Sequence, residues 1–394
     1  MNLFNKSLII YLLLISIILF LELWRYYPTY GYSLFQDWLY LIDFKNCTED
    51  NQLTSIHLCN VILEHKFVYP KIWLKFIYFF EDRNLFMFLI IPFILSYIFI
   101  CSNILKEESI YTNVIFLISP VSILVIQRGN IDLVIFTLIY LFYLSLINNA
   151  AKYYSFFTLF AAIKLKVYPM ALVPIYFIID NFDNKKLLSL FLSLFLLITL
   201  YFSELFTLLD TYNKSGVTLA FSSTVLFKIF NFVTNYSLNY LIITKILLVV
   251  IILFSFFSKI KFPNIDNKKE ISFLIGSAII VSGFFLNEGY VYKQIFIIFT
   301  LPLIFEYKKT IPYKMYLYLL IISFSSIWVE YLTFLIEQIF YIDLTKLKIN
   351  KSLTTINIIY GMSIIFKNLV FWLLNINLIL ISTKIFLKKL GIKF

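Results

Sequence analysis

The strongest constraint on this chain is a series of long apolar runs separated by short clusters of charged residues. Of its 394 residues, 61% are hydrophobic and only 14% are charged, against about 25% charged residues in a typical globular protein. The mean hydropathy is +0.89. Because a helix needs ~20 apolar residues to cross the hydrocarbon core of a bilayer, this pattern predicts an integral membrane protein and excludes a soluble enzyme.

The apolar runs predict an all-α polytopic bundle of about twelve transmembrane helices, forming a single integral domain over residues 1–394. The predicted spans lie at 8–24, 85–105, 110–126, 131–147, 155–164, 168–180, 187–209, 239–257, 271–286, 294–306, 315–338 and 368–387. Glu22, Trp24 and Arg25 follow the first run, where a cleaved signal would have small residues. We therefore expect that run to remain as a membrane anchor.

The lysines of the short loops predict the orientation, because translocation of positive charge across the membrane is disfavoured. With the N-terminus in the cytoplasm, eleven lysines fall in short cytoplasmic loops and only four cations in the short turns on the other side. The C-terminus is then cytoplasmic as well. Three longer loops, at about 25–84, 210–238 and 339–367, lie outside. We expect amphipathic juxtamembrane helices in the first of these loops.

The four exceptions to this charge distribution are Arg128, Lys164, Lys166 and Lys293. In the turn that holds Arg128, Gly129 permits a tight bend and Asn130 can cap the next helix. Asp132 suits the positive end of that helix. Arg128 is then available to bind an anion. The alternative is a simple ion pair between Arg128 and Asp132, which are four residues apart.

The other three exceptions lie in two further turns. In 164–169, Lys164 and Lys166 precede Tyr168 and Pro169, so a rigid corner presents two ammonium groups and a phenol. A phosphate is their natural counter-ion, although snorkelling lysines that anchor short helices are an alternative. Lys293 follows Tyr290 and Tyr292, and the alternative there is an aromatic belt at the membrane interface.

Taken together, these cations predict an anionic ligand on the same side of the membrane as the first outer loop. That loop contains Asp37 and Asp43. A carboxylate beside a bound phosphate leaving group is what base-assisted group transfer requires. Alternatively, Asp37 is an ordinary solvated aspartate.

These motifs resemble the bacterial membrane glycosyltransferases of glycosyltransferase family 87, which belongs to the GT-C superfamily and is related to mannosyltransferases. The similarity covers about 30–305 and rests on Asp37, Tyr69-Pro70-Lys71-Ile72-Trp73 and the ranges 128–132, 164–169 and 290–293. The resemblance implies a GT-C-like fold and the inverting transfer of a hexosyl unit from a polyprenyl-phosphate-sugar donor. Because the family is associated with mannose, a mannosyl unit is the first candidate.

The resemblance also implies roles for individual residues. Asp37 is expected to be the catalytic base, with Asp43 in reserve. The donor phosphate is expected at Arg128, Lys164, Lys166, Tyr168 and Lys293, supported by Tyr69, Trp73, Asn130, Asp132, Tyr290 and Tyr292. The sequence departs from the family at Val68, where Asn is usual, and at Lys293, which lacks the bidentate fork of the usual arginine.

The same resemblance implies a bacterial inner-membrane enzyme of the cell envelope with an extracytoplasmic active site. Its partners would be a polyprenyl-phosphate-linked sugar donor, a lipid or glycan acceptor and the surrounding membrane lipid. Neither a metal nor another cofactor is required in principle, although a divalent ion is not excluded. The chain has no basic stripe of the kind that binds nucleic acid.

Two other interpretations remain open. A transporter or flippase of a lipid-linked glycan could use the same cations, together with Glu204, Lys245, Glu330 and Glu337 within the predicted helices. The predicted spans show no paired broken helices, and this favours an enzyme. A degenerate, non-catalytic subunit is the third interpretation. Separately, Cys47 and Cys59 share the outer loop and could form a disulfide.

Overall fold

A computed structural model describes residues 42–43, 47, 73, 89–148, 152–179, 220–234, 239–258, 263, 265–285, 289–339 and 355–392. Asp37 and Tyr69 lie outside the described residues, as do Val68, Cys59 and Glu204. The predicted spans at 8–24 and 187–209 also lie outside them. Within the described ranges the chain is almost entirely helical, so the expectation of a helical protein is confirmed there.

The α-helices are α1 (Ile90–Ile104), α2 (Ile110–Leu117), α3 (Pro120–Arg128), α4 (Asp132–Asn148), α5 (Lys152–Leu165), α6 (Val173–Ile179), α7 (Val225–Thr234), α8 (Tyr240–Phe257), α9 (Asn267–Phe285), α10 (Leu301–Glu306), α11 (Tyr313–Ile339) and α12 (Thr355–Lys389). Tighter 3₁₀ segments occupy Tyr168–Leu172, Val291–Phe299 and Tyr307–Lys309. One short antiparallel pair joins β1 (Ala220–Phe221) to β2 (Gly289–Tyr290).

Three of the described helices are long and apolar enough to cross a membrane. They comprise Tyr240–Phe257, Tyr313–Thr333 and Ile359–Lys389, and the bent pair α2 and α3 makes a fourth if it counts as one span. Four further apolar helices among the described residues have only 10–17 residues, fewer than the ~20 that a straight crossing needs. The chain therefore has the features of a membrane protein, but the predicted count of twelve spans is not confirmed.

Several predicted boundaries were wrong. The third span is broken rather than continuous: α2 and α3 meet at 53°, because Pro120 cannot continue a helix and instead begins the next one. The sixth and tenth spans begin as 3₁₀ segments. The outer loop predicted at 339–367 is shorter, since α12 already begins at Thr355. The loop predicted at 210–238 contains β1 and α7.

Helix α9 runs through the centre of the core. Its residues Ile275, Ile279 and Phe284 are fully buried, and it packs against the segment Val291–Phe299. The two elements approach closely at Gly276, where an added Cβ would lie 2.8 Å from the carbonyl oxygen of Phe296. In contrast, only 11% of the span in α8 is buried, as expected of a helix that faces lipid.

An ion-pair network lies at one end of α9 and α12. Lys269 pairs with Glu107 at 3.0 Å and with Glu306 at 2.9 Å, and Lys388 pairs with Glu270 at 2.6 Å. At the other end of α9, Gly283 adjoins Lys293. Glu270 and Gly283 are 13 residues apart on this helix, which corresponds to ~20 Å. The lysines of this network are among those that the sequence predicts to be cytoplasmic. They therefore lie near the end of α9 that is ~20 Å from the end adjoining Lys293.

Candidate anion-binding site

The turn between α3 and α4 forms one wall of the candidate site. Gly129 has φ 57°, in the left-handed region. Its N–H donates to the carbonyl of Ile126 and the N–H of Asn130 donates to that of Val125, both at 3.0 Å, which is a Schellman motif. The Asn130 side chain accepts from the N–H of Asp132 at 2.8 Å. The predicted tight turn and helix cap are confirmed, and they place Asp132 in the core with no exposed surface.

Asp132 binds two side chains from the corner that follows α5. Lys166 Nζ lies 2.6 Å from Asp132 Oδ1, and the hydroxyl of Tyr168 donates to the same oxygen at 2.8 Å. Lys166 is only 7% exposed, so it does not snorkel to solvent. Among the described residues, Asp132 therefore pairs with Lys166 and not with Arg128.

Lys293 joins this group from the segment Val291–Phe299. Its Nζ lies 5.3 Å from the centroid of the Tyr168 ring, and Lys166 Nζ lies 5.9 Å from the same centroid, both within the range of cation–π attraction. Lys293 is 4% exposed and forms no ion pair with any residue in the described ranges. We call Asp132, Lys166, Tyr168 and Lys293 the lysine cluster.

Gly283 makes room for Lys293, and sequence reasoning missed this residue. A Cβ at position 283 would lie 3.0 Å from Cδ of Lys293 and 3.9 Å from its Nζ. The sequence feature that could have indicated it was a glycine inside an apolar helix, since such a glycine often marks a point where another segment packs closely against the helix backbone. The side-chain path of Lys293 thus depends on the absence of a side chain on α9.

The described members of the lysine cluster carry more positive than negative charge. Burial lowers the pKa of Lys293, Asp132 opposes this change and Lys166 adds to it, and the net result is a pKa of about 8. Lys293 lies outside the three candidate spans. Since each pKa unit corresponds to about 1.36 kcal/mol, a fall from 10.5 means that the folded protein holds this ammonium ~3 kcal/mol less favourably than water does. An anion beside Lys293 would remove that cost.

Two residues of this region have polar atoms without hydrogen-bond partners. Oδ2 of Asp132 has none among the described residues, and neither do Oε1 and Nε2 of Gln294. Both side chains are completely buried. Gln294 follows Lys293 directly, and sequence reasoning missed it within the apolar run predicted as the tenth span. The only sequence feature that could have indicated Gln294 was a polar amide side chain within an apolar run.

Three other predicted residues lie near these elements. Arg128 is 5% exposed at the C-terminal end of α3, where the helix dipole favours a cation. Trp73 is buried, and its Nε1 donates to the carbonyl of Leu165 at 3.2 Å. The end of the first outer loop therefore meets the residue directly before Lys166. Lys164 Nζ lies 5.6 Å from the centroid of the Phe160 ring, on its own helix.

The remaining predicted residues are only partly described. The backbone of Tyr290 pairs with Ala220, and Tyr292 belongs to the 3₁₀ segment that carries Lys293. Asp43 is half-buried and helical. Asp37 and Tyr69 lie outside the described residues, so the position of the proposed base relative to the lysine cluster stays a prediction.

A second buried ion pair joins α11 to α12. Lys367 Nζ lies 3.1 Å from Glu330 Oε2, and the two side chains are 0% and 1% exposed. Both residues fall within candidate membrane spans. Lys367 and Glu330 thus form an ion pair with each other, whereas Lys293 forms none with any described residue.

The described residues also bear on the cysteines and on metal binding. Cys47 is disulfide-bonded, while Cys101 is a buried free thiol. Cys59, the predicted partner of Cys47, lies outside the described residues. No group of three His, Cys, Asp or Glu side chains that could hold a metal ion occurs in the described ranges.

Comparison of this chain with models of protein families, with curated proteins and with solved structures gives no match. The candidate site therefore stands on its own geometry and on the sequence motifs.

Proposed function

We propose that the protein is a membrane glycosyltransferase of GT-C type. It would transfer a hexosyl unit, with mannosyl as the first candidate, from a polyprenyl-phosphate-sugar donor to an acceptor hydroxyl outside the cytoplasm. The acceptor would be a lipid or a glycan of the bacterial cell envelope. The protein would lie in the inner membrane with both termini in the cytoplasm.

One observation carries the proposal: two buried lysines lie near one carboxylate, which forms an ion pair with Lys166, while Lys293 has no ion pair with any described residue. A buried ammonium without a counter-ion is costly, and an anionic ligand would supply the missing charge. A lipid phosphate suits a site in a helical protein with candidate membrane spans. The further step to sugar transfer rests on the family resemblance of the motifs.

In this mechanism Asp37 acts as the base and the lysine cluster holds the leaving group. The Asp37 carboxylate takes the proton of the acceptor hydroxyl as the acceptor oxygen bonds to the anomeric carbon. The bond from that carbon to the phosphate oxygen breaks, and its electron pair leaves with polyprenyl phosphate. Lys166 and Lys293 stabilise the added negative charge. A single displacement from the opposite face inverts the anomeric centre.

The proposal is tested with purified protein in lipid nanodiscs, supplied with polyprenyl-phosphate-mannose and an envelope lipid acceptor. Asp37→Asn should reduce the transfer rate by about 10²- to 10⁴-fold, because a positioned base contributes this much, while donor binding stays unchanged. Asp43→Asn changes the reserve candidate in the same loop and should keep its activity if Asp37 is the base, whereas loss of turnover in Asp43→Asn alone would assign the role to Asp43. Full turnover by Asp37→Asn would remove Asp37 from the role of base.

A transporter or flippase of a lipid-linked glycan is the second candidate function. The Glu330–Lys367 pair favours it, since buried ionisable groups in membrane spans often mark transport pathways, and so does the break between α2 and α3. A fluorescent polyprenyl-phosphate glycan in proteoliposomes separates the two functions. Translocation without sugar transfer would support the transporter, and transfer without translocation would support the enzyme.

A further inference from the structure

Tyr168 contacts every other residue of the lysine cluster. Its hydroxyl donates to Asp132 Oδ1 at 2.8 Å, and its ring centroid lies 5.9 Å from Lys166 Nζ and 5.3 Å from Lys293 Nζ. Lys166 also binds Asp132 directly, at 2.6 Å. One aromatic ring therefore links the two ammonium groups that the proposed function assigns to the donor phosphate.

The hydroxyl of Tyr168 is engaged by Asp132. A phenol has one hydrogen to donate, and in this structure the carboxylate accepts it. The oxygens of an ionised phosphate only accept hydrogen bonds, so they could bind this hydroxyl only after it had left Asp132. The hydrogen bond to Asp132 therefore competes with the direct phosphate contact that the sequence motif predicts for Tyr168.

Packing fixes the ring of Tyr168 beside the lysines. The ring meets Phe296 edge to face, with 5.9 Å between the centroids and 70° between the planes, and Phe296 has no exposed surface. Lys293 and Phe296 belong to the same 3₁₀ segment, in which side chains three residues apart lie one above the other. Both therefore meet Tyr168 on one face of that segment, and the ring cannot turn away without losing this packing.

The ring compensates part of the cost of burying charged Lys293. Among the described residues, the charged and titratable groups that face Lys293 are Asp132, Lys166 and Tyr168. Burial lowers the pKa of Lys293, and the negative face of an aromatic ring attracts an ammonium group most strongly where water is excluded. Removal of the ring should therefore leave Lys293 less firmly placed and more readily deprotonated.

We propose that Tyr168 is a positioning residue whose ring holds the ammonium groups of Lys166 and Lys293 at one place, so that both reach the phosphate of the donor lipid. This inference rests on the proposed function. It assigns the two parts of the side chain different tasks: the ring places the lysines, and the hydroxyl binds Asp132 rather than the phosphate.

The test measures the affinity of nanodisc-embedded protein for polyprenyl-phosphate-mannose as a function of pH. This lipid is a phosphodiester, whose charge stays constant at neutral and alkaline pH. Tyr168→Leu should bind about 10- to 100-fold more weakly at neutral pH, because both cation–π contacts are lost. The midpoint of its pH dependence should lie about one pH unit below that of the wild type, since Lys293 then loses its proton more readily.

Tyr168→Phe separates the ring from the hydroxyl. It keeps the ring and loses one hydrogen bond of ordinary strength, so its affinity should fall only about fivefold. The midpoint of its pH dependence should not fall below that of the wild type. Tyr168→Met, which also lacks a ring, takes the place of Tyr168→Leu if the latter does not fold.

Tyr140→Leu is the matched control. Tyr140 is a buried tyrosine of α4, eight residues from Asp132, which corresponds to ~12 Å along the helix. Its ring lies 6.2 Å from that of Tyr143, and no lysine of the described residues contacts it. This variant should lose an aromatic contact and some stability, yet keep the wild-type affinity and the wild-type midpoint.

The outcomes separate the two proposals. Wild-type protein that does not bind the lipid overturns the proposed function and this inference together. If the wild type binds, an equal loss of affinity in Tyr168→Phe and Tyr168→Leu overturns the inference alone, because the hydroxyl would then be the group that the phosphate needs. Wild-type affinity in Tyr168→Leu, or weakened binding with an unchanged pH midpoint, also contradicts it.

Discussion

Gly283→Ala should weaken binding of the lipid phosphate without unfolding the protein. The added Cβ would lie 3.0 Å from Cδ of Lys293, so the lysine must shift by a few tenths of an ångström. Alanine gains ~1 kcal/mol over glycine in a helix, while overpacking costs ~1–3 kcal/mol. We therefore expect the free energy of unfolding to fall by at most ~2 kcal/mol.

The effect on binding should be larger than the effect on stability. A hydrogen bond to a charged group contributes ~1.5–3 kcal/mol, so displacement of Lys293 Nζ should weaken polyprenyl phosphate binding by about 10- to 100-fold. Binding is measured by titrating nanodisc-embedded protein with polyprenyl phosphate, and stability by thermal unfolding of the same preparation.

Two other glycines provide controls. A Cβ at Gly361, in α12, would meet nothing within 4 Å, so Gly361→Ala should bind normally and be slightly more stable. A Cβ at Gly276 would meet the backbone oxygen of Phe296 at 2.8 Å, so Gly276→Ala should be strongly destabilised. Wild-type affinity in Gly283→Ala, alongside weakened binding in Lys293→Met, would refute the packing argument.

Two further predictions concern charge. Affinity for polyprenyl phosphate should fall as the pH rises through about 8, because Lys293, facing Asp132, Lys166 and Tyr168, then loses its proton. The free energy of unfolding of the unliganded protein should rise between pH 8 and 10.5. The reason is that the folded protein buries a charged Lys293 at a cost below this pH range, and the cost disappears as the ammonium loses its proton. Titrations of wild type and Lys293→Met measure both effects, and an identical pH dependence in the two proteins would exclude Lys293 as the titrating group. Lys367→Met should reduce the free energy of unfolding by ~3–5 kcal/mol, because it leaves Glu330 buried without its partner. Adding Glu330→Gln to this variant should restore most of the lost stability. Denaturation in detergent measures both effects, and a double variant as unstable as Lys367→Met would contradict this account of the ion pair.

Local features of the site could be predicted from the sequence, whereas its long-range contacts could not. Gly129, Asn130 and Asp132 act within one turn, so their residue types were sufficient to predict the bend and the cap. The ion pair of Asp132 with Lys166 joins residues 34 positions apart. It depends on how α4 and α5 pack, and hydropathy contains no information on that packing.

The predicted span count is not confirmed by the described residues, and some predicted span boundaries are wrong, for a related reason. Hydropathy detects an apolar run but not its geometry, so it joined α2 and α3 across Pro120 and did not separate 3₁₀ segments from α-helices. It also cannot distinguish α8, most of which is exposed, from the buried helix α9, because both contain long apolar runs. Gly283 had no motif around it, and its importance depends on Lys293, a neighbour that only the fold supplies.

The most direct test of the central claim is an experimental structure of the protein with a bound polyprenyl-phosphate-sugar analogue. We predict phosphate oxygens within ~3 Å of Nζ of both Lys166 and Lys293, the distance of a charge-assisted hydrogen bond. A headgroup bound elsewhere, with both lysines out of contact with it, would contradict the account.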